Sequence, residues 1–194
     1  AEVYRHHQVP PNVQRHMLRV AAVAEQIGQT WHGPPVQRER LITVLLVHDL
    51  GNIVKCDYDN LPHMLEEEQP RVEHWRAVQA RYRARFGTDD HVATHALARA
   101  LGLDDTALDL LDHMAFEHND ETAAGDDFEA KIAAYADHRV GPRGLLSLTN
   151  RFVEIKQRYQ GAAGAFMHSA RADFLIECAH QIERQVVAGC DLAP

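Results

Sequence analysis

Apolar residues recur at steps of three and four through nearly the whole chain, and no segment alternates apolar and polar residues at period two over six positions. That spacing puts apolar side chains on one face of an α-helix and leaves no pattern from which a sheet could be built. Pro10-Pro11-Asn12 opens the first long segment, where Val13, Met17, Val20 and Ile27 share a face as far as Gly28. Pro34-Pro35 opens a second, whose stripe Leu41, Val44, Leu45, His48 runs to Gly51. Pro70 precedes a third, carrying Val72, Trp75, Val78 and Tyr82 to a stop at Gly87. Thr88 is placed to cap a fourth that ends at Leu101-Gly102, and Asp104 or Asp105 a fifth through Leu108, Leu111 and Met114. A helix over 128–140 meets the breaker Gly141-Pro142-Arg143-Gly144, Ser147 caps 148–159, and 163–187 reads as a closing helix after a GAAG hinge. The stretch 52–69 is the least regular connection and reads as loop, long enough to carry function. The expected fold is all-α, a helical bundle of about eight or nine helices in a single domain over residues 1–194.

Composition narrows the function classes. With 194 residues, 45% hydrophobic and 25% charged, the chain buries enough surface to fold without a disulfide or structural metal. The run Leu45-Leu46-Val47 is broken at once by His48-Asp49, so no membrane span is expected. A net charge of −8 with both signs interspersed argues against a nucleic-acid partner. The first residues, AEVYRHHQVPPN, lack the apolar core of a secretion signal, and Cys56, Cys178 and Cys190 form no CxxC, so a cytoplasmic location is expected. Fourteen His against three Cys mean that any metal is held by imidazole and carboxylate, which suits Fe, Mn, Co, Ni or Zn.

Position gives those histidines meaning. His16 occupies an inward slot of the first seam, His48 ends the second with Asp49 beside it, and Asp137 follows Ala130, Ala133 and Ala134 on the inward face of the 128–140 segment. A buried carboxylate is costly alone, and two of them beside imidazoles become tolerable around a cation. Neutral imidazoles and carboxylates from three helices are what an open metal site with nitrogen and oxygen ligands requires.

The motifs NVQRHMLRVA (His16), LLVHDLGNIVK (His48-Asp49) and YADHRV (Asp137), with the later run KIAAYADHRVGPRGLLSLTNRF, resemble the HD superfamily of metal-dependent phosphohydrolases. The resemblance covers about residues 10–160, with a C-terminal helix at about 162–188 packing on that core. It implies two further ligands, His91 in HVATHALARALGL and His113 in LDLLDHMAF. The implied set is then His16, His48, Asp49, His91, His113 and Asp137 around one or two divalent ions, with Asp49 bridging them and serving in catalysis. Met114 and the lack of a GYP motif depart from the cyclic-dinucleotide phosphodiesterases of that superfamily.

The implied activity is hydrolysis of a nucleotide or another small phosphorylated substrate by metal-activated water. Lys55, Arg139 and Arg143 follow the ligand-bearing segments and are the candidates to bind its phosphate. The same ligand order also occurs in HD-type di-iron oxygenases, and a regulatory metal- or nucleotide-binding domain is the non-catalytic alternative. Oligomeric state stays open, a homodimer included. His95 and the pair Glu117-His118 read as surface residues or as residues behind the ligands. The single Glu177-Cys-Ala-His180 spacing lacks the second copy of a di-iron bundle. His6-His7 and the acidic run 66–68 read as solvated.

Overall fold

A computed structural model describes residues 1–59, 62–159 and 162–191, with side chains for 1–59, 65–159 and 165–191. Among the described residues the helices are α1 (Glu2–His6), α2 (Pro11–Thr30), α3 (Arg38–Leu45), α4 (Val72–Phe86), α5 (Asp90–Ala100), α6 (Asp105–His113), α7 (Asn119–Ala124), α8 (Phe128–Arg139), α9 (Leu148–Arg158) and α10 (Ala170–Val187). Short 3₁₀ segments join several of them, and the fold is all-α as expected. None of these helices is long and apolar enough to cross a membrane.

α8 lies at the centre. The Asp127 carboxylate accepts from the Glu129 and Ala130 amides at its N-terminus. Its alanines 130, 133, 134 and 136 are all buried, because their small side chains let neighbours approach from several sides. α2, α3, α6, α7, α9 and α10 all touch it. Pro11 occupies the first turn of α2, where its missing N–H costs nothing, and Val13, Met17, Val20, Ala24 and Ile27 form that helix's buried stripe. Together with Leu41, Leu45, Ile132 and Ile182 they make up the main core.

Several boundaries differ from expectation for identifiable reasons. Asp89, not Thr88, caps α5. α3 begins at Arg38 and ends at Leu45, short of Gly51. The connection 52–69 is not bare loop: it carries two 3₁₀ segments, Asn52–Lys55 and Pro62–Arg71. Its Ile53, Val54, Tyr58 and Leu65 form a second small core with Trp75 and Val78 of α4. The buried Gln79 amide donates to the Ile53 and Cys56 carbonyls, both at 2.7 Å, satisfying backbone that no helix partner reaches.

The 141–144 breaker is a two-residue antiparallel hairpin, Val140–Gly141 against Gly144–Leu145. α10 begins at 170 rather than 163, where the Ser169 hydroxyl accepts the Ala172 N–H at 3.2 Å. Gly161 of the expected hinge lies outside the described residues. α1 has no strong periodic signature and was not anticipated.

Candidate metal centre

His16 stands on α2 between the buried Val13 and Val20, on the face turned to α8 and α3. His48 and Asp49 do not sit on a helix. Past Leu45 the chain tightens into successive turns, with Val47 N–H bonded to Val44 O, Leu50 N–H to Val47 O and Asn52 N–H to Asp49 O. The cause lies across the fold: Gly51 is pressed against α5, where a Cβ would come within 2.5–2.7 Å of the Thr94 nitrogen, the Ala93 Cβ and the Asp90 carbonyl oxygen. Its N–H donates to the Thr94 hydroxyl at 3.0 Å. This turn brings the adjacent His48 and Asp49 side chains to one site. Asp137 comes from the last turn of α8.

The four side chains converge. His16 Nε2 lies 2.8 Å from Asp137 Oδ1 and 3.6 Å from Asp49 Oδ2. His48 Nε2 lies 3.5 Å from Asp137 Oδ1 and 3.9 Å from Asp49 Oδ2. The two Nε2 atoms are 3.3 Å apart. One ligand atom each from His16, His48 and Asp49 fits within 4.8 Å, close enough to share an ion. His48, only 6% exposed, donates from Nδ1 to the Leu45 carbonyl at 2.7 Å, which turns Nε2 into the cluster.

The two carboxylates favour positive charge in the cluster. Burial alone would pull the His48 pKa down, but the carboxylates of Asp49 and Asp137 and the Leu45 carbonyl override it and lift it to about 9. Burial pushes the Asp137 carboxyl up, yet the hydrogen bonds and charges of His16 and His48 hold it well below the usual carboxylate range. Asp49 is likewise lowered against its burial, by His48, His16 and Lys55. Two ionised carboxylates facing two imidazoles form a donor set suited to a divalent transition ion.

Two clefts open on this cluster. The larger, about 740 Å³, has His16, Asp49 and Asp137 in its wall. The smaller, about 190 Å³, shares Asp49, Lys55 and Asp137 with it and adds His48, His91 and Glu117. The expected six-ligand set does not converge as one cluster. His91 is 46% exposed, lines the smaller cleft and lies 3.3 Å from Glu117 Oε1. His113 is exposed, lines neither cleft and donates from Nδ1 to the Asp109 carbonyl of its own helix at 2.8 Å. His95 Nε2 lies 2.8 Å from Asp112 Oδ1.

The substrate-binding candidates divide in the same way. Lys55 lines both clefts, pairs with Asp90 at 2.6 Å and is held protonated, against its burial, by Asp49 and Asp90. Arg143 reaches the large cleft from the hairpin. Arg139 does not line the cleft. Its Nε donates to the Leu146 carbonyl at 2.5 Å and it bonds the Tyr135 hydroxyl, so its guanidinium fastens the hairpin to α8.

Three residues that the sequence reading passed over line the large cleft: Arg151, Glu154 and Arg158 of α9. Their spacing, three and then four, is the available signal, though charges at that spacing ordinarily mark a solvated face. The acidic run at 66–68 is also not free in solvent. Glu66 and Glu67 pair with Arg15, and Glu68 accepts from Arg71 and from the Trp75 indole, each at 3.0 Å.

No curated protein and no solved structure gives a significant match to this chain. The HD domain pattern matches residues 13–139, about two thirds of the sequence, a span that begins just before His16 and ends just after Asp137. That match, with the histidine and aspartate positions converging in space, places the chain in the HD domain family.

Proposed function

We propose that this chain is a metal-dependent phosphohydrolase acting on a small organic phosphate. The observation that carries the reading is the convergence of His16, His48, Asp49 and Asp137, three of which (His16, Asp49 and Asp137) lie in the wall of a cleft of about 740 Å³ that also presents cationic side chains. One divalent ion of the Fe, Mn, Co, Ni or Zn group suits these four donors, and no second converged set exists among the described residues. When bound, such an ion supplies Lewis acidity toward a phosphoryl oxygen and makes water a stronger acid.

The chain's own residues do the remaining work. The Leu45 carbonyl holds the His48 ring so that Nε2 keeps its place among the ligands. The Asp49 carboxylate, kept ionised by His48, His16 and Lys55, accepts a hydrogen bond from the attacking water and orients it. Lys55 Nζ, shared with Asp90, offers its other N–H donors to a phosphoryl oxygen, and Arg143 offers a planar guanidinium from the hairpin wall of the same cleft. On a chain of net charge −8 these groups supply the local attraction that an anionic substrate needs.

The test is a screen of the purified protein against phosphorylated small molecules with Mn, Co, Ni and Mg. Metal-dependent phosphate release that disappears in Asp49→Ala supports the reading. Two bound irons with oxygen uptake and no phosphate release would replace it with oxygenase chemistry.

A further inference from the structure

The wall of the large cleft also carries, on α9, an arrangement that the metal centre does not use. Arg151 and Arg158 leave α9 seven residues apart and converge on the single carboxylate of Glu154. Arg151 Nη1 donates to Glu154 Oε2 at 2.5 Å. Arg158 donates from Nε at 2.8 Å and from Nη2 at 2.5 Å to Oε1. Both guanidiniums are largely withdrawn from solvent, their side chains 14% and 17% exposed. Two positive charges thus share one negative charge in a place where water compensates them poorly. Arg151 Nε is buried with no hydrogen-bond partner among the described residues. A guanidinium has five N–H donors in a fixed fork, so most of this pair's donors remain unspent.

These two arginines pair with neither Asp49 nor Asp137, whose carboxylates face the histidines. The cleft therefore has two poles, the ligand cluster and the α9 arginines. Its volume of about 740 Å³ far exceeds what one phosphate fills and falls in the range of sites for whole small molecules. We infer that Arg151 and Arg158 form an anion clamp for a second negatively charged group of the substrate, so that the substrate class is an organic phosphate bearing a further phosphoryl or carboxylate group. Glu154 holds the two forks in place until that group arrives. The inference rests on the phosphohydrolase reading only for what occupies the metal pole.

The clamp is tested without the metal. Inorganic pyrophosphate and phosphonoacetate are titrated calorimetrically into chelator-treated full-length protein, into Arg151→Met/Arg158→Met and into Glu154→Gln. The double variant should bind one or both probes at least tenfold more weakly than the parent. Glu154→Gln, which removes the competing carboxylate, should bind severalfold more tightly. Loss with pyrophosphate alone marks the second group as phosphoryl, and loss with phosphonoacetate marks carboxylate as accepted. A double variant that keeps its helical circular dichroism and binds both probes as the parent does overturns the clamp. Should that variant fail to fold, phenylglyoxal labelling of the parent decides: pyrophosphate must protect Arg151 and Arg158, and unprotected labelling overturns the inference. Metal binding, measured separately and lost in His16→Ala, reports on the phosphohydrolase reading, so either can fail alone.

Discussion

Two groups of histidines in this fold have met different fates. The Nε2 atoms of His16 and His48 both turn to the shared carboxylates of Asp49 and Asp137. On α5 and α6, His91, His95 and His113 each lie beside a nearby acceptor: Glu117, Asp112 and the Asp109 carbonyl. The contrast teaches that residue type and order alone do not bring a histidine into the cluster. An imidazole becomes available to a shared ion when its free nitrogen faces carboxylates held in common, as those of His16 and His48 do.

The sharpest way to break this comparison is at the cluster. Asp137→Asn or His16→Ala should weaken metal binding by on the order of 100-fold or more, read by calorimetry or metal analysis, with helical content retained. Equal binding by either variant would dissolve the distinction between the two groups. Next comes the turn that aims the doublet. Gly51→Ala drives a Cβ into backbone atoms of α5 and should cost about 1–3 kcal/mol in denaturant unfolding while lowering metal affinity.

A third kind of histidine sharpens the contrast further. His138 is buried between Phe116 and Phe152 with both ring nitrogens unpartnered among the described residues, and burial pushes its pKa down to about 4. Because this lies below the free value near 6.5, at pH 5 the unfolded chain takes up a proton there that the folded chain refuses. Stability present at neutral pH is thus lost as pH falls through 6.5 toward 4. His138→Leu should gain about 2 kcal/mol on the parent between pH 7.5 and pH 5, read from unfolding curves at the two pH values. The smallest effect belongs to His113→Ala, whose exposed ring should leave metal stoichiometry unchanged and alter stability by less than about 0.5 kcal/mol. A fall in stoichiometry would return it to the ligand set.

The parts of this molecule legible in its sequence are those governed by periodicity. The seam of α2 and the alanine face of α8 announce both buried helices, and His16 and Asp137 stand out because they interrupt apolar stripes. What was illegible depends on contacts across the fold. Nothing in LLVHDLG stops a helix before Gly51; α3 ends early because α5 holds Gly51 at backbone distance. Arg139 follows Asp137 in sequence, the position expected of a phosphate-binding residue, yet the hairpin's Leu146 carbonyl claims it. Arg151 and Arg158 look like surface charges until the cleft wall withdraws them from water.

The early end of α3 has one more effect. A helix terminus leaves its last carbonyls without intrahelical partners, and here the one at Leu45 accepts the Nδ1 proton of His48. The acceptor that aims this ring is main chain and travels with no side chain. Residue 45 can therefore be exchanged for other apolar residues that fill the same space without disturbing the ring, whereas lengthening the helix by one turn would misdirect it with every side chain intact.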